Sequence, residues 1–244
     1  LNLCIELAHN YNFLNDEWNG FNVLHSAASR PGAMEIGFLP GEKGKNLDQI
    51  IESYNNESIS TLFLLGADEI EINKKNKCFV IYQGHHGDKG ANLADLILPS
   101  PSFNEQNGLY INTEGRVQES IRATFPVGEA KEDWQIISLI IEKMALGNGF
   151  KNFEEVRNDL FKFYPQLSNI DICLLGEKLT KKNQAIKIKK HIFNSSVENF
   201  WLSNSITRSS KLMCERSNIS SKNTCLLYTS PSPRDKRQYR MPSS

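Results

Sequence analysis

Three short apolar segments constrain the fold of this chain more than any other feature of its sequence. They are STLFLLGAD at 60–68, CFVIYQG at 78–84 and ADLILPS at 94–100. Each is a continuous apolar run of strand length, a pattern typical of strands that a parallel sheet buries on both faces. The sequence therefore predicts an α/β fold with a layered, mostly parallel sheet whose strands are connected by helices.

Helical segments precede these strands. Residues 3–14 can form a first helix, and Asn22 can cap a second helix that runs through VLHSAAS. We expect this second helix to end before Pro31, because proline disfavours the helical conformation in the residue that precedes it. In NLDQIIESY, at 46–54, apolar residues recur at helical spacing, which predicts a third helix.

The segment GLYINTEGRVQES, at 108–120, has the pattern of a β-hairpin. Tyr110 and Val117 lie in its two extended arms, and Gly115 can supply the left-handed residue of the turn between them. We therefore expect this segment to serve backbone geometry rather than chemistry.

A long helix is predicted after the hairpin, in AKEDWQIISLIIEKMALG at 130–147. Its residues Trp134, Ile137 and Ile141 recur at helical spacing. The helix should end at Gly147, since glycine is the usual residue just past a helix C-terminus.

One more helix is predicted before the chain changes character. Asn152 and Glu155 have the spacing of a capping box at a helix start, and this helix should stop before Pro165. The remainder, 166–224, is rich in Lys, Asn and Ser with short apolar islands. We expect it to be an appendage that packs on another surface.

Composition argues against several classes of function. Lysine plus arginine equals aspartate plus glutamate at 28 each in 244 residues, so there is no basic excess of the kind that binds nucleic acid. The mean hydropathy is −0.43, and no apolar run approaches the ~20 residues that a membrane helix needs. We therefore expect a soluble protein with no nucleic-acid partner and no direct membrane insertion.

The cysteines form neither an iron–sulfur ligand set nor a disulfide framework. No C-x-x-C pair occurs among the five, which are Cys4, Cys78, Cys173, Cys214 and Cys225. This usage fits a reducing compartment. The first residue is Leu and no secretory leader pattern follows it, so we expect a piece of a longer protein.

The residues at 225–244, CLLYTSPSPRDKRQYRMPSS, differ in composition from the rest of the chain and have no periodicity. A disordered basic tail is one interpretation. We favour another, because 225–235 resembles one reading frame of a transposon-type adapter used in sequencing libraries. The segment is therefore predicted to be a translated adapter without ordered structure.

The segment GHHGDKG, at 84–90, raises the question of a metal or catalytic site. His85 and His86 are adjacent, so they do not converge on one ion as the histidines of H-E-x-x-H do on a helix. The spacing G-x-x-G-x-x-G also differs from the dinucleotide motif G-x-G-x-x-G. We predict no catalytic, cofactor-binding or metal-binding residue here, and instead a strand-end loop bent by its three glycines: Gly84, Gly87 and Gly90.

Two charged residues of the hairpin are the other candidates for chemistry. Glu114 and Arg116 could act as an acid and an anion clamp, but charges at a hairpin tip are usually solvated. No nucleophile with a recognisable neighbouring base occurs elsewhere in the sequence.

The block VIYQGHHGDKGANLADLILPSPSFNEQNGLYINTEGRVQ, at 80–118, closely resembles the large iron–sulfur subunits of respiratory complex I, the proton-pumping NADH:ubiquinone oxidoreductase. These subunits are relatives of the molybdopterin oxidoreductases. The wider superfamily shares only part of the block, which corresponds here to ADLILP at 94–99 and to Glu105, Gly108, Tyr110, Asn112, Glu114, Gly115, Arg116 and Gln118. Two further stretches, 18–38 and 198–213, are similar to complex I rather than to molybdoenzymes. The shared positions that we assign to a structural motif are Asp95, Pro99, Asn112, Gly115 and Arg116.

The resemblance implies a partial molybdopterin-oxidoreductase-like α/β domain at 1–165, with the hairpin, and a helical complex I C-terminal region at 166–224. It implies no cofactor in this fragment, with iron–sulfur clusters held by an absent amino-terminal part. The implied function is a non-catalytic structural part of the peripheral arm, which supports electron transfer from NADH to quinone. Its partners would be other peripheral-arm subunits.

The resemblance also implies a peripheral location, on the matrix side of the mitochondrial inner membrane or the cytoplasmic face of a bacterial inner membrane. Two alternatives stay open at this point. One is a fragment of a true molybdopterin-dependent oxidoreductase such as a formate dehydrogenase. The other is a Rossmann-like nucleotide-binding module.

Overall fold

The structure is a computed structural model, and it describes residues 2–15, 18–25, 27–70, 72–75, 77–173 and 199–222. By its contacts the chain divides into two compact units. The first comprises Leu1–His85 and Lys89–Ser196, and the second comprises His86–Asp88 and Val197–Ser244. The three residues His86–Asp88 thus group with the C-terminal part of the chain.

A three-stranded parallel sheet lies in the first unit. In their order across the sheet, the strands are β1 (Thr61–Leu65), β2 (Phe79–Gly84) and β3 (Leu96–Pro99). The register places Leu62 beside Val80, and Tyr82 beside Ile97. The three apolar runs therefore form a parallel sheet, as predicted.

One face of this sheet, the core face, carries the hydrophobic core. Helix α3 (Leu47–Asn55) packs there and buries Tyr54 completely. The connection from β1 to β2 also packs on it through Ile70 and Ile72, as does Ala91 of helix α4 (Lys89–Leu93) between β2 and β3. The buried residues of the core are Tyr54, Leu62, Leu64, Cys78, Val80 and Tyr82.

The opposite face contradicts the expectation that the apolar runs are buried on both sides. In β1, Leu62 and Leu64 are buried, whereas Phe63 and Leu65 are exposed. The reason is that α3, α4 and the connection after β1 all pack on the core face. An unbroken apolar run therefore predicted the strand correctly but not its surroundings.

Helix α3 begins with a capping box. Asn46 accepts a hydrogen bond from the backbone N–H of Gln49 at 2.9 Å, and the Gln49 side chain accepts one from the Asn46 N–H at 2.9 Å. These two bonds satisfy backbone donors that the first turn of a helix leaves without partners. The helix predicted at 46–54 is confirmed.

The prediction of a helix after Asn22 is wrong. Residues 21–25 are not helical, and α2 (Arg30–Glu35) begins where this second predicted helix was to end. The first predicted helix, at 3–14, corresponds to α1 (Asn2–Asn10). Pro31 lies in the first turn of α2, where its missing N–H is not needed and its fixed φ suits a helix. The proline therefore starts a helix instead of ending one.

The predicted hairpin is confirmed. Strands β4 (Gly108–Ile111) and β5 (Val117–Ser120) pair antiparallel, with Tyr110 opposite Gln118. Gly115 has a φ of +82°, the left-handed conformation that the turn was predicted to need. The chain then returns to β5 further on, where Ile170 forms a parallel bridge to Val117.

Two helices follow the hairpin, α5 (Asp133–Lys143) and α6 (Phe153–Phe163). Helix α6 is capped as predicted, since the Asn152 side chain accepts from the Glu155 N–H at 2.9 Å. The helix predicted in 130–147 is confirmed as α5, which buries Ile136 and Ser138 and leaves Ile137 exposed. Ser138 packs closely against Gly149.

The second unit is mostly helical in its described C-terminal residues, 199–222. It contains a short 3-10 helix (Phe200–Leu202), α7 (Ser205–Ser209) and α8 (Lys211–Lys222). Asn204 and Thr207 form a capping box at the start of α7. The Arg216 guanidinium lies 5.2 Å from the ring centre of Trp201, which joins α8 to the 3-10 helix.

Within the described residues, no helix is both long enough and apolar enough to cross a membrane. The adapter-like segment at 225–244 lies outside the described residues. The domain boundaries predicted after residues 165 and 224 remain predictions.

Candidate functional site

The GHHGDKG segment occupies the end of β2 and the loop that leads into α4. Asp88 of this loop forms an ion pair with Arg208 of α7, through the guanidinium Nε and the carboxylate Oδ2. The pair joins positions 120 residues apart in the sequence. Its side chains are only 17% and 19% exposed, for Asp88 and Arg208 respectively, so water screens the two charges poorly.

Arg208 also holds the C-terminal segment together. Its Nη1 donates to the carbonyl oxygen of Leu202 at 3.2 Å, and its own carbonyl oxygen accepts a weak hydrogen bond from the Cys214 thiol at 3.4 Å. Sequence reasoning missed Arg208, because no local pattern signals a partner so distant in the chain. The only available signal was that the 80–118 block and the 198–213 stretch both resemble complex I.

The histidines of the loop have no metal-binding geometry. In the part of the chain that the structure describes, no three His, Cys, Asp or Glu residues come close enough together to hold a metal ion. His85 is exposed, and His86, two positions before Asp88 in the sequence, is partly buried.

The chain bends at His85, His86 and Asp88, and none of the three glycines of this segment has a positive φ. A Cβ atom on Gly84 would collide with the hydroxyl group of Tyr82, and one on Gly90 would lie 2.9 Å from the Tyr82 ring and from the Ala67 carbonyl oxygen. Nothing lies within 4 Å of the position of a Cβ on Gly87. Gly84 and Gly90 therefore make room for the buried Tyr82.

Asp95 ties β2 to the start of β3. Its Oδ2 accepts from the Val80 N–H at 2.9 Å, and its Oδ1 pairs with the Lys74 ammonium at 2.7 Å. These interactions, first that with Lys74 and then that with Val80, lower the pKa of Asp95 below its usual value. Burial raises the pKa of the neighbouring Cys78 thiol, which keeps it an unreactive core residue.

Asn112 organises the tip of the hairpin. Its side-chain Oδ1 accepts from the N–H groups of Glu114 and Arg116, at 2.9 and 3.0 Å. Its carbonyl oxygen accepts from the Gly115 N–H at 3.0 Å. Asn112 and Gly115 therefore fix the turn through backbone contacts.

Arg116 is engaged with the chain itself. Its Nη1 donates to the Asp171 carbonyl oxygen at 2.9 Å, and Nη2 lies 3.5 Å from the Glu114 carboxylate. The Cys173 thiol donates to the Glu114 carbonyl oxygen at 3.4 Å. The arginine thus fastens the segment after α6 to the hairpin, and its position does not suggest an anion clamp.

Pro99 ends β3 beside Gly84, and its carbonyl oxygen accepts from the Lys131 N–H at 3.2 Å. Gln83, which sequence reasoning also missed, is completely buried at the end of β2 and donates from Nε2 to Asp133 at 2.7 Å. Its Oε1 is a buried acceptor without a hydrogen-bond partner among the described residues. The Gln83–Asp133 bond connects the sheet to the first turn of α5.

A cavity of about 350 Å³ lies beside the hairpin, between α2, α6 and β4. The residues that line it include Ile36, Leu109, Val117 and Leu160, and none of its lining residues is charged. Its lining is mostly apolar, and its polar side chains are the hydroxyl groups of Ser29 and Tyr110.

Comparison with known protein families gives two matches along the chain, in order. Residues 1–143 match the family described as molybdopterin oxidoreductase. Residues 172–215 match the family described as the C-terminal part of the G subunit of NADH-ubiquinone oxidoreductase.

Several curated proteins are similar over most of the chain. The G subunit of NADH-quinone oxidoreductase from Rickettsia bellii is 38% identical over 213 residues, which is 87% of this chain and 30% of that protein. The NADH-ubiquinone oxidoreductase 75 kDa subunit of Reclinomonas americana is 37% identical over 83% of this chain and 29% of its own length. The mitochondrial 78 kDa subunit of Neurospora crassa is 37% identical, over 83% of this chain and 27% of its length.

The chain therefore spans less than a third of the length of these relatives. The resemblance to the complex I subunits is confirmed across both the 80–118 block and the C-terminal stretch. The relatives include both bacterial and mitochondrial proteins.

Proposed function

Since this chain belongs to the molybdopterin oxidoreductase family, with a match over residues 1–143, we propose that it is a non-catalytic part of the large subunit of a proton-pumping NADH:quinone oxidoreductase. In this proposal its role is structural. It helps to build the arm of the complex in which iron–sulfur clusters, held by other parts of the subunit, carry electrons from NADH to quinone.

The observation that carries this proposal is the filling of the strand-end loop by the chain's own side chains. In open α/β sheets, ligands bind at the carboxyl ends of the strands. Here the space beside Gly84 and Gly90 is occupied by Tyr82, and the Asp88 carboxylate is paired with Arg208. A phosphate or pterin group would have to displace a buried aromatic ring to reach the glycines.

These residues therefore do not fit a pterin cofactor, and we assign no catalytic step to it. The cysteines do not fit an iron–sulfur cluster either. Of the four described, Cys78 is buried in the core, and among the described residues no group of three or more His, Cys, Asp or Glu could hold a metal ion. Electron transfer in the proposed complex would pass outside this chain.

The second family match supports complex I as the assembly. Residues 172–215 match a family that is named for the G subunit of NADH-ubiquinone oxidoreductase, and the curated relatives carry corresponding names. A formate dehydrogenase fragment is not supported by these matches. A Rossmann-like nucleotide module is disfavoured, because Tyr82 closes the loop where a pyrophosphate would approach.

We further propose that the partners are other peripheral-arm subunits. The location would be the membrane side on which NADH is oxidised, the matrix in mitochondria or the cytoplasm in bacteria. We propose a structural role for the hairpin and the strand-end motif, which comprise Gly84, Gly87, Gly90, Asp95, Pro99, Asn112, Gly115 and Arg116.

A replacement experiment tests the assembly role. In the 78 kDa subunit of Neurospora crassa, the matched region is exchanged for residues 1–216 of this chain. We expect a complex that assembles in native electrophoresis and reduces quinone with NADH. A matched fusion carrying Val80→Asp, which puts a charge into the core, should not assemble. If the parent fusion is stable but is excluded from the complex, the proposal is wrong.

Elemental analysis tests the non-catalytic role. The purified 244-residue chain is expected to hold molybdenum, iron and zinc far below one atom per chain, and titration with NADH should give no binding heat. About one molybdenum or iron per chain would contradict the proposal, as would saturable NADH binding.

A further inference from the structure

Asparagine followed by glycine occurs at three places in the chain, 19–20, 107–108 and 148–149. In this dipeptide the backbone nitrogen of the glycine can attack the side-chain amide of the asparagine, because glycine carries no Cβ to hinder the approach. The structure places the three dipeptides in different surroundings. Their reactivity can therefore be compared within one molecule.

Two of the three dipeptides are held by hydrogen bonds. The Gly20 N–H, which would have to attack the Asn19 side chain, donates to the Phe13 carbonyl oxygen at 2.8 Å. The half-buried Asn107 accepts from the Arg122 N–H through Oδ1 at 2.9 Å, and the glycine that follows it begins β4. Each of these dipeptides must break a contact before its side chain and the next nitrogen can meet.

The dipeptide at 148–149 is not held in this way. Asn148 is exposed, and among the described residues neither its side chain nor the Gly149 N–H makes a hydrogen bond. It lies in the irregular connection from α5 to α6, where Ala145 has a φ of +54° and Gly147 a φ of +151°. The Asn148 side chain is therefore free to turn towards the Gly149 nitrogen.

We infer that Asn148 is a site of spontaneous deamidation. The Gly149 nitrogen forms a bond to the Asn148 Cγ, the bond from Cγ to Nδ2 breaks, and ammonia leaves with the proton of the Gly149 N–H. Water then opens the resulting cyclic imide. Opening at Cγ gives aspartate, and opening at the main-chain carbonyl carbon gives isoaspartate, in which the main chain runs through the former side chain. The reaction needs only the chain and water, so it does not rest on the proposed function.

Isoaspartate at this position would disturb the contacts that follow it. Gly149 packs so closely on Ser138 of α5 that a Cβ atom would lie 2.5 Å from the Ser138 Cβ. The next residue, Phe150, donates its N–H to the Ser138 Oγ at 3.1 Å. Isoaspartate adds a methylene group to the main chain directly before these contacts, and a close-packed site has no room to absorb it. We expect the modification to break the hydrogen bond and to loosen the connection between α5 and α6.

Peptide mapping tests the inference. The 244-residue chain is incubated at neutral pH and digested with trypsin at mildly acidic pH, and electron-transfer fragmentation then distinguishes aspartate from isoaspartate. Asn148 is the only asparagine in the expected tryptic peptide 144–151. We expect Asn148 to react about fivefold faster or more than Asn19 or Asn107, since the need to open one hydrogen bond lowers the reactive population by about twofold to tenfold.

Asn148→Gln is the matched control. It keeps an exposed amide, but the Gly149 nitrogen would have to close a larger ring, so the peptide 144–151 should stay unmodified over the same period. Gly149→Ala is unsuitable as a control, because the added methyl group would collide with Ser138. A peptide 144–151 that is modified equally in Asn148→Gln would show that Asn148 is not the reacting residue.

Hydrogen exchange at the Phe150 amide measures the structural consequence. The aged chain is compared with the fresh chain and with fresh Asn148→Asp, which carries the new charge without the added methylene group. We expect exchange at Phe150 to be about twofold to tenfold faster in the isoaspartate form alone, as the loss of one hydrogen bond implies. Unchanged exchange in that form would show that the contact with Ser138 tolerates the longer main chain, and the expected loosening would be wrong.

Two results of the mapping would overturn the inference itself. Equal rates at the three dipeptides would show that the reaction proceeds from the unfolded chain, where their surroundings no longer differ. A slower reaction at Asn148 than at Asn19 would show that the packing of Gly149 on Ser138 prevents ring closure.

Discussion

The ion pair between Asp88 and Arg208 is the contact whose loss should matter most to the second unit. This ion pair links residues 86–88 to the C-terminal helices of the same unit. Asp88→Asn keeps the size and a hydrogen-bonding oxygen but removes the charge. Arg208→Met keeps an unbranched apolar stem but removes the guanidinium and its bond to Leu202.

The magnitude follows from the burial of the pair. Fully exposed ion pairs contribute about 0 to 1 kcal/mol, and breaking a fully buried pair costs about 3 to 5 kcal/mol. With side chains 17% and 19% exposed, this pair lies between those limits. A hydrogen bond to a charged group contributes about 1.5 to 3 kcal/mol, so we expect a coupling energy of about 1.5 to 2 kcal/mol.

Hydrogen exchange of the α8 amides measures this coupling, because α7 and α8 should open more often once the pair is lost. A loss of 1.5 to 2 kcal/mol corresponds to exchange about tenfold to thirtyfold faster. Exchange is compared in the wild type, Asp88→Asn, Arg208→Met and the double variant. The double variant should exchange little faster than Arg208→Met, since that variant already lacks both the pair and the bond to Leu202.

A second pair provides the matched control. Arg157 and Glu119 lie 2.5 Å apart in the first unit, with side chains 27% and 32% exposed, and should show a coupling below about 1 kcal/mol. Unchanged α8 exchange in Asp88→Asn would refute the reasoning. Simple addition of the effects of the two single changes, with a coupling below about 0.5 kcal/mol, would refute it equally.

Three further predictions concern the first unit and the tail. Gly115→Val should lower the melting temperature more than His86→Ala, since a β-branched residue at a φ of +82° costs about 1 to 3 kcal/mol; thermal melts that show the reverse order would contradict this. Asp95→Asn should lower the free energy of unfolding at pH 7, because the pairing with Lys74 needs the ionised carboxylate. The difference from the wild type should disappear as the pH falls below the ordinary carboxyl pKa of 3.8 and through the lowered pKa of Asp95. A difference in the free energy of unfolding that is unchanged at pH 2 would count against this prediction. Truncation after Thr224 should leave the melting temperature unchanged. A polar tail is expected to bury too little apolar area to offset its ordering entropy of about 1 to 2 kcal/mol per residue. A clear drop in the melting temperature of the truncated chain would refute the adapter interpretation.

Local patterns predicted the elements whose determinants lie within a few residues of each other. The Asn152 N-cap of α6 and the left-handed Gly115 of the hairpin both belong to this class. Prediction failed where the deciding contact was distant. The exposure of Phe63 depends on where the connecting segments pack.

The candidate site divides in the same way. Asp95 and Asn112 act on backbone groups of adjacent strands or of their own turn, so their structural roles could be proposed from the sequence. Arg208 could not, since its partner Asp88 is 120 positions away and only the fold brings them together. Gln83 could not either, because its bond to Asp133 requires the position of α5 relative to the sheet.

The glycines of GHHGDKG show why a glycine-rich strand end is weak support for ligand binding. Such glycines can leave room for a phosphate, or they can leave room for a neighbouring side chain. Sequence alone does not separate these cases, because both remove a Cβ at the same position. Here the Tyr82 ring takes the space at Gly84 and Gly90, whereas Gly87 has no neighbour within 4 Å of a Cβ. Two of the three glycines, Gly84 at the end of β2 and Gly90 in α4, are thus explained by Tyr82, a buried core residue of β2.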